Sequence, residues 1–286
     1  MAKQVVPESA RRRRRPTKQG AVLSEGLIVE TALRMLREHG SKGLTARRLG
    51  TTLGADPSAL YRYFRSMDEL TLAVGDELIG RAMEGWHSCG DWRSDLRELG
   101  LRIHSAYLSH PQAAVLTASR VSGRAHEIAA DEAVLGVLHT AGFPRPAAVR
   151  IYHAFIDQSL AFAALDAASL TLPQAARAAD EAVWQSIYPQ LPAQTYPHIA
   201  ASADLLIRHM NDSAYPVALE MLLHSASLHL VAGHATGEAR QHAEQSGKCE
   251  VQTPAQAAQR DARTEIAGSV HWALSCNRDA VGDLHW

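Results

Sequence analysis

Alanine restricts this chain more than any other residue: it occurs 49 times, against 26 valines and isoleucines together. Alanine is the strongest helix former and the β-branched residues that favour strands are scarce, while apolar positions recur at three- and four-residue spacing. The fold class predicted is all-α.

Capping residues divide the first third of the chain into helices. Ser24 is a good N-cap and Gly40 a good stop, with Ile28, Ala32, Met35 and Leu36 along one face between them. A second helix starts at Thr45, whose hydroxyl can cap free backbone amides, and ends at Gly54. Asp56 followed by Pro57 opens a short third helix, expected to reach about Phe64. Ser66-Met67-Asp68-Glu69 reads as a capping box that opens a fourth, to about Met83. Beyond residue 90 helical segments are expected at 93–109, 112–119, 124–141, 147–167, 173–187, 198–210 and 216–232, punctuated by prolines.

The net charge of −1 over 286 residues conceals a partition. Residues 1–70 carry a net +7 and the remainder −8, and Arg11 to Arg15 supply five of the seven excess positive charges. Such asymmetry suggests a polyanion-binding module joined to a different one. The arginine run fits two readings, a mobile arm entering a minor groove and a solvated basic tail that raises nonspecific affinity.

The second and third helices, joined by a tight turn at Gly54 to Asp56, form a helix-turn-helix, in which the second helix of the pair enters the major groove. Small residues Ser58 and Ala59 open its N-terminal end to base edges, and Ala59 suits a thymine methyl. Tyr61 and Tyr63 lie roughly 200° apart on a helix, so they flank opposite sides, with one or both hydroxyls in reach of phosphate. Arg47, Arg48, Arg62 and Arg65 supply phosphate forks, and Arg62 has guanine as an alternative partner.

From Ser24 to about Glu77 the chain resembles the DNA-binding domain of the TetR family of bacterial transcriptional repressors. The carriers are Leu-Thr-x-Arg-x-Leu from Leu44, Leu-Gly at 53–54, Ser-Ala-Leu-Tyr-x-Tyr-Phe from Ser58, and Asp-Glu-Leu from Asp68. They cover about a fifth of the chain. The resemblance implies a homodimer joined through the last helices, a double-stranded operator as partner, and DNA release when a small-molecule effector enters a cavity in the C-terminal domain. It also implies that Thr45, Arg47, Ser58, Ala59, Tyr61 and Tyr63 occupy DNA-contacting positions. One position departs: members commonly carry Lys where this chain has Met67, which leaves the Met67 backbone amide as the phosphate contact, with Arg65 nearby.

The organisation expected is therefore a flexible basic arm (1–22), a three-helix DNA-binding domain (23–70), a larger helical ligand-binding and dimerisation domain (71–233) and a mostly disordered tail (234–286), with a possible short helix near Ile266 to Leu274. In the large domain, Ile151, Phe155, Gln158, Phe162 and Leu165 form one helical stripe opposite a second face of alanines, and the last helix carries Met221, Leu222, Leu223, Leu228 and Leu230. A helix apolar on two sides must be buried on two sides. Pairing in a dimer's four-helix bundle satisfies that, with Ile151, Phe155, Phe162, Met221, Leu222 and Leu228 at the interface, as does full burial within one subunit.

For the effector, the aromatic and polar residues of the middle helices are the candidates: Trp86, His104, Tyr107, Phe143, His153 and Trp184. No metal site or cofactor is expected. His224, His229 and His234 are five apart, which rotates each about 140° around a helix, and the three cysteines, Cys89, Cys249 and Cys276, form no CxxC pair. No GxSxG, GxGxxG, phosphate-binding loop or HExxH motif supports an enzyme, and a nonspecific nucleic-acid-binding protein would need only the arginine run. With no apolar stretch of roughly 18 residues and no signal core, a cytoplasmic, membrane-free protein is expected.

Overall fold

A computed structural model describes residues 22–230. The basic arm with Arg11 to Arg15, the tail 234–286 and the short helix expected near Ile266 lie outside the described residues. Among those described, every regular element is helical.

The helices are α1 (Glu25–His39), α2 (Ala46–Leu53), α3 (Pro57–Leu60), α4 (Met67–Met83), α5 (Trp92–Leu108), α6 (Pro111–Thr117), α7 (Ala125–Thr140), α8 (Arg145–Thr171), α9 (Gln174–Ser186) and α10 (Pro197–His209). A further helix, α11, spans 215–230. The first boundaries follow the capping chemistry. Ser24 accepts from the Leu27 amide at 3.2 Å, Thr45 from Arg48 at 3.3 Å and Ser66 from Glu69 at 3.0 Å. Gly54 closes α2 in the left-handed conformation, φ 62° and ψ 30°, where a Cβ would be strained.

Helix α3 is shorter than the expected reach to about Phe64. It ends at Leu60 and the chain continues through a turn to Phe64. Phe64 and Leu60 are both buried, so the turn tucks the aromatic ring inward rather than extending the helix.

Helix α4 runs through the boundary expected at residue 70: Leu70, Val74 and Leu78 are fully enclosed, with α1 on one side and α5, α6 and α7 on others. Three ion pairs also fasten the first domain to the second. Arg81 of α4 pairs with Glu30 of α1, Arg124 with Glu25 of α1, and Arg120 makes a two-pronged contact with Asp68 at 2.9 and 3.0 Å.

In the larger domain α5, α8 and α11 meet at Gly100. A Cβ there would collide with the Tyr215 hydroxyl and approach the Phe155 ring to 3.0 Å. Tyr215 shares a 2.7 Å hydrogen bond with the buried Ser159 hydroxyl. This packing corrects the expected dimer stripe. Phe155 is 0% exposed and Ile151 is also buried, both within their own chain, and Phe162 leans on Tyr215 at 5.8 Å between ring centroids. Helix α8 therefore turns its aromatic stripe inward and its alanine face, with Leu165, outward. On α11 Met221 (68% exposed) and Leu228 (59%) point away from the core, whereas Leu222 is partly buried against it.

Helices α9 and α10 bury no residue of their own and pack chiefly on each other and the short turn Tyr188–Gln190 between them. No helix among the described residues is long and apolar enough to cross a membrane.

Candidate nucleic-acid interface

The reading head is built from α2 and α3. Gly50 permits their close approach: a Cβ on it would sit 3.0 Å from the Ala55 carbonyl oxygen and 3.1 Å from the Pro57 nitrogen, both backbone atoms. The Ala55 amide donates to the Gly50 carbonyl across that gap at 2.9 Å. Leu49, Leu53 and Leu60 close the core beneath. With its inner face so fixed, the pair presents the opposite face to solvent.

On that face Thr45, Arg47, Arg48, Ser58, Tyr61, Arg62 and Arg65 are exposed. The Thr45 oxygen accepts from Arg48, which leaves its own proton to donate outward. Asp56 caps α3 by accepting from the Ser58 amide at 2.8 Å. Hydrogen bonds from the Ser58 hydroxyl and then its amide hold the Asp56 carboxyl below the ordinary carboxylate range. Ala59 is half-buried, so only part of its methyl faces out.

The two tyrosines diverge, both from the turn that follows α3. Tyr61 is 51% exposed. Tyr63 is half-buried, and its hydroxyl donates to the Leu23 carbonyl at 2.6 Å. Its one proton is spent within the chain, which corrects the expectation that it serves a phosphate. Tyr63 instead ties the segment leading into α1 to the reading head.

Met67 opens α4, and its side chain packs partly against the core. Its N–H belongs to the first turn, whose amides have no intrahelical acceptor. Glu69 accepts from the Arg65 amide one residue ahead of the Ser66 cap, so the box closes on a different amide from the one predicted. The three ion pairs that steady this head were missed from sequence. Their partners stand 51, 52 and 99 residues apart, beyond any local pattern.

The six effector candidates do not share one chamber. Trp86 lines a cavity beside α5 and α7, and Phe143 packs edge-on against Trp92 with centroids 5.0 Å apart. His104 is buried, bonds Asp166 through Nε2 at 2.8 Å and stacks on Tyr215. Tyr107 is core, its hydroxyl pushed up to about 12 by burial. His153 is exposed on α8. Trp184 stacks on Tyr188 at 4.1 Å and edges a broad cleft of about 720 Å³ between α9 and the ends of α5 and α8.

Sequence comparison bears on this architecture in both halves. Residues 28–74 match the bacterial regulatory proteins of the tetR family, and residues 86–225 match the tetracyclin repressor-like C-terminal domain. An HTH-type transcriptional regulator of Saccharopolyspora erythraea is 29% identical over 134 residues, covering 46% of this chain and 57% of the relative. A class C tetracycline repressor protein of Escherichia coli is 30% identical over 125 residues, 42% of this chain and 56% of that protein. The chain thus spans a little over half the length of these curated relatives. Among solved structures, a possible TetR family transcriptional regulator of Streptomyces coelicolor A3(2) superposes with a TM-score of 0.61 at 26% identity, covering 72% of this chain and 99% of that one. With both of its halves matched and its helices in the same arrangement, the chain belongs to the tetR family of bacterial regulatory proteins.

Proposed function

We propose that the chain works as a homodimeric, sequence-specific DNA-binding repressor that a small-molecule effector releases from its operator. The observation that carries this is the exposed edge formed by Thr45, Arg47 and Arg48 at the start of α2, Ser58 in α3, and Tyr61 and Arg62 just beyond it. Short polar and arginine side chains at a helix start suit base edges, and the flanking arginines and Thr45 suit the phosphates on either side. The Escherichia coli relative is a tetracycline repressor protein, which supports repression and a small-molecule effector.

The dimer face we propose is the outer surface of α8 and α11. Leu165, Val217, Met221 and Leu228 are all more than half exposed there. A groove of about 220 Å³ lined by Ala147, Arg150, Ala154, Leu222, Ser225 and His229 runs between the two helices and suits a helix ridge of a second copy. Two heads so joined would meet successive major grooves, and an effector would act by favouring a different spacing between them.

Footprinting on the promoter next to the protein's own gene tests this. The expected result is two protected half-sites whose centres lie one helical turn, about 34 to 36 Å, or a multiple of it, apart. Uniform protection along the duplex would instead support the nonspecific nucleic-acid-binding reading.

A further inference from the structure

Arg11 to Arg15 form a charged motif that the α2–α3 head does not absorb. From Arg11 to Leu23 the sequence holds six basic residues and no acidic one. Such a run suits a polyanion, and what it meets depends on where it joins the fold.

The structure fixes that point. Leu23 is 5% exposed and Val22 45%, so the chain passes from core to solvent between them. The Tyr63 hydroxyl donates to the Leu23 carbonyl at 2.6 Å, and Ser24 caps the helix that follows. Glu25, in the first turn of α1, pairs with Arg124, whose guanidinium also lies over the Phe64 ring. The joint is therefore tied to residues 63 and 64, in the turn between α3 and α4. The same turn carries the exposed Tyr61, Arg62 and Arg65 of the reading head. The basic segment thus leaves the fold at the edge of the surface read as facing DNA.

A head seated in a major groove is bordered by phosphate backbone, which the free amides at the start of α4 suit. Beyond that backbone lies the adjoining minor groove, about half a helical turn, or ~17 Å, along the duplex. Arg15 stands eight residues from Leu23, a span of up to about 28 Å for extended chain, so the arginines have the reach. Their identity points the same way. Lysine serves phosphate attraction as well, but guanidinium is more weakly hydrated than ammonium and gives up less water on entering a narrow groove.

We propose that Arg11 to Arg15 enter the minor groove adjoining the base pairs met by α3 and select A·T pairs there, so that each half-site is read in two grooves. The proposal deepens the reading of α2 and α3 as an operator-binding head, and rests on it.

Fluorescence anisotropy with the full chain tests this on the half-sites found by footprinting, with the flanking pairs on both sides made all A·T, all G·C or all I·C. Inosine lacks the guanine amino group, so I·C resembles A·T in the minor groove and G·C in the major groove. A·T and I·C flanks should bind alike, and G·C flanks about tenfold more weakly. The variant carrying Arg11→Ala, Arg12→Ala, Arg13→Ala, Arg14→Ala and Arg15→Ala should bind all three duplexes alike, while still preferring the half-sites to a scrambled core. Equal wild-type affinity for A·T and G·C flanks, I·C flanks that behave as G·C, or a flank preference that persists in the alanine variant overturns the inference. Absence of any preference for the half-site core in both proteins overturns instead the operator-binding reading on which it rests.

Discussion

Tyr61 and Tyr63 stand two residues apart and do opposite work. Tyr61 projects into solvent beside the exposed end of α3, while Tyr63 gives its proton to the Leu23 carbonyl. Tyr61→Ala should weaken operator binding at least tenfold in a gel-shift titration and leave the melting curve within about 0.5 kcal/mol of wild type. Tyr63→Phe should do the reverse, removing a hydrogen bond at a half-buried carbonyl and costing about 1 kcal/mol in denaturant unfolding. Helical spacing predicts that the two rings diverge, and they do so from the turn that follows α3. Which side faced inward was not legible, because it depends on where the chain entering α1 passes, 40 residues earlier. Gly50 presents the same limit. Its role, backbone packed 3.0 Å from a would-be Cβ, belongs to the tertiary contact and leaves no local pattern.

At the scale of elements, helix starts were legible because N-caps act within three residues, and Ser24, Thr45, Asp56 and Ser66 all accept backbone amides as their types predict. The end of α3 was not, because burial of Phe64 rather than a local stop signal decides it. Nor was the inward face of α8. Its aromatic stripe and its alanine face are both apolar, and only packing against Gly100 and Tyr215 selects the first.

The Arg120–Asp68 contact joins the start of α4 to the connection between α6 and α7. Hydrogen bonding to Arg120 holds the Asp68 carboxyl below its ordinary value. A carboxylate lowered on folding contributes stability that is fully present above about pH 4 and is lost as pH falls through the folded value. An NMR titration of the Asp68 carboxyl should therefore show it below the ordinary range in the wild type. In Arg120→Gln it should return to that range.

Over the whole molecule, the near-zero net charge is a balance of two unequal parts, +7 over residues 1–70 and −8 over the rest. A basic head on an acidic body should orient the approach to a duplex, since the body is repelled where the head is attracted. Binding should then fall steeply with salt as phosphate contacts release counterions, and removing residues 1–20 should flatten that slope. The proposed pairing of α8 and α11 is tested by Leu165→Glu combined with Met221→Glu. Placing charge on the exposed apolar face should yield monomers in sedimentation equilibrium, with the helical signal retained. Without the dimer the two heads would no longer bind jointly, and operator affinity should fall with it.

The most direct test of the central claim is the affinity of the full chain for its own promoter duplex against a scrambled duplex of equal length, measured by fluorescence anisotropy at physiological salt. A sequence-reading head predicts a preference of about a thousandfold or more. Equal affinity for the two duplexes would contradict it.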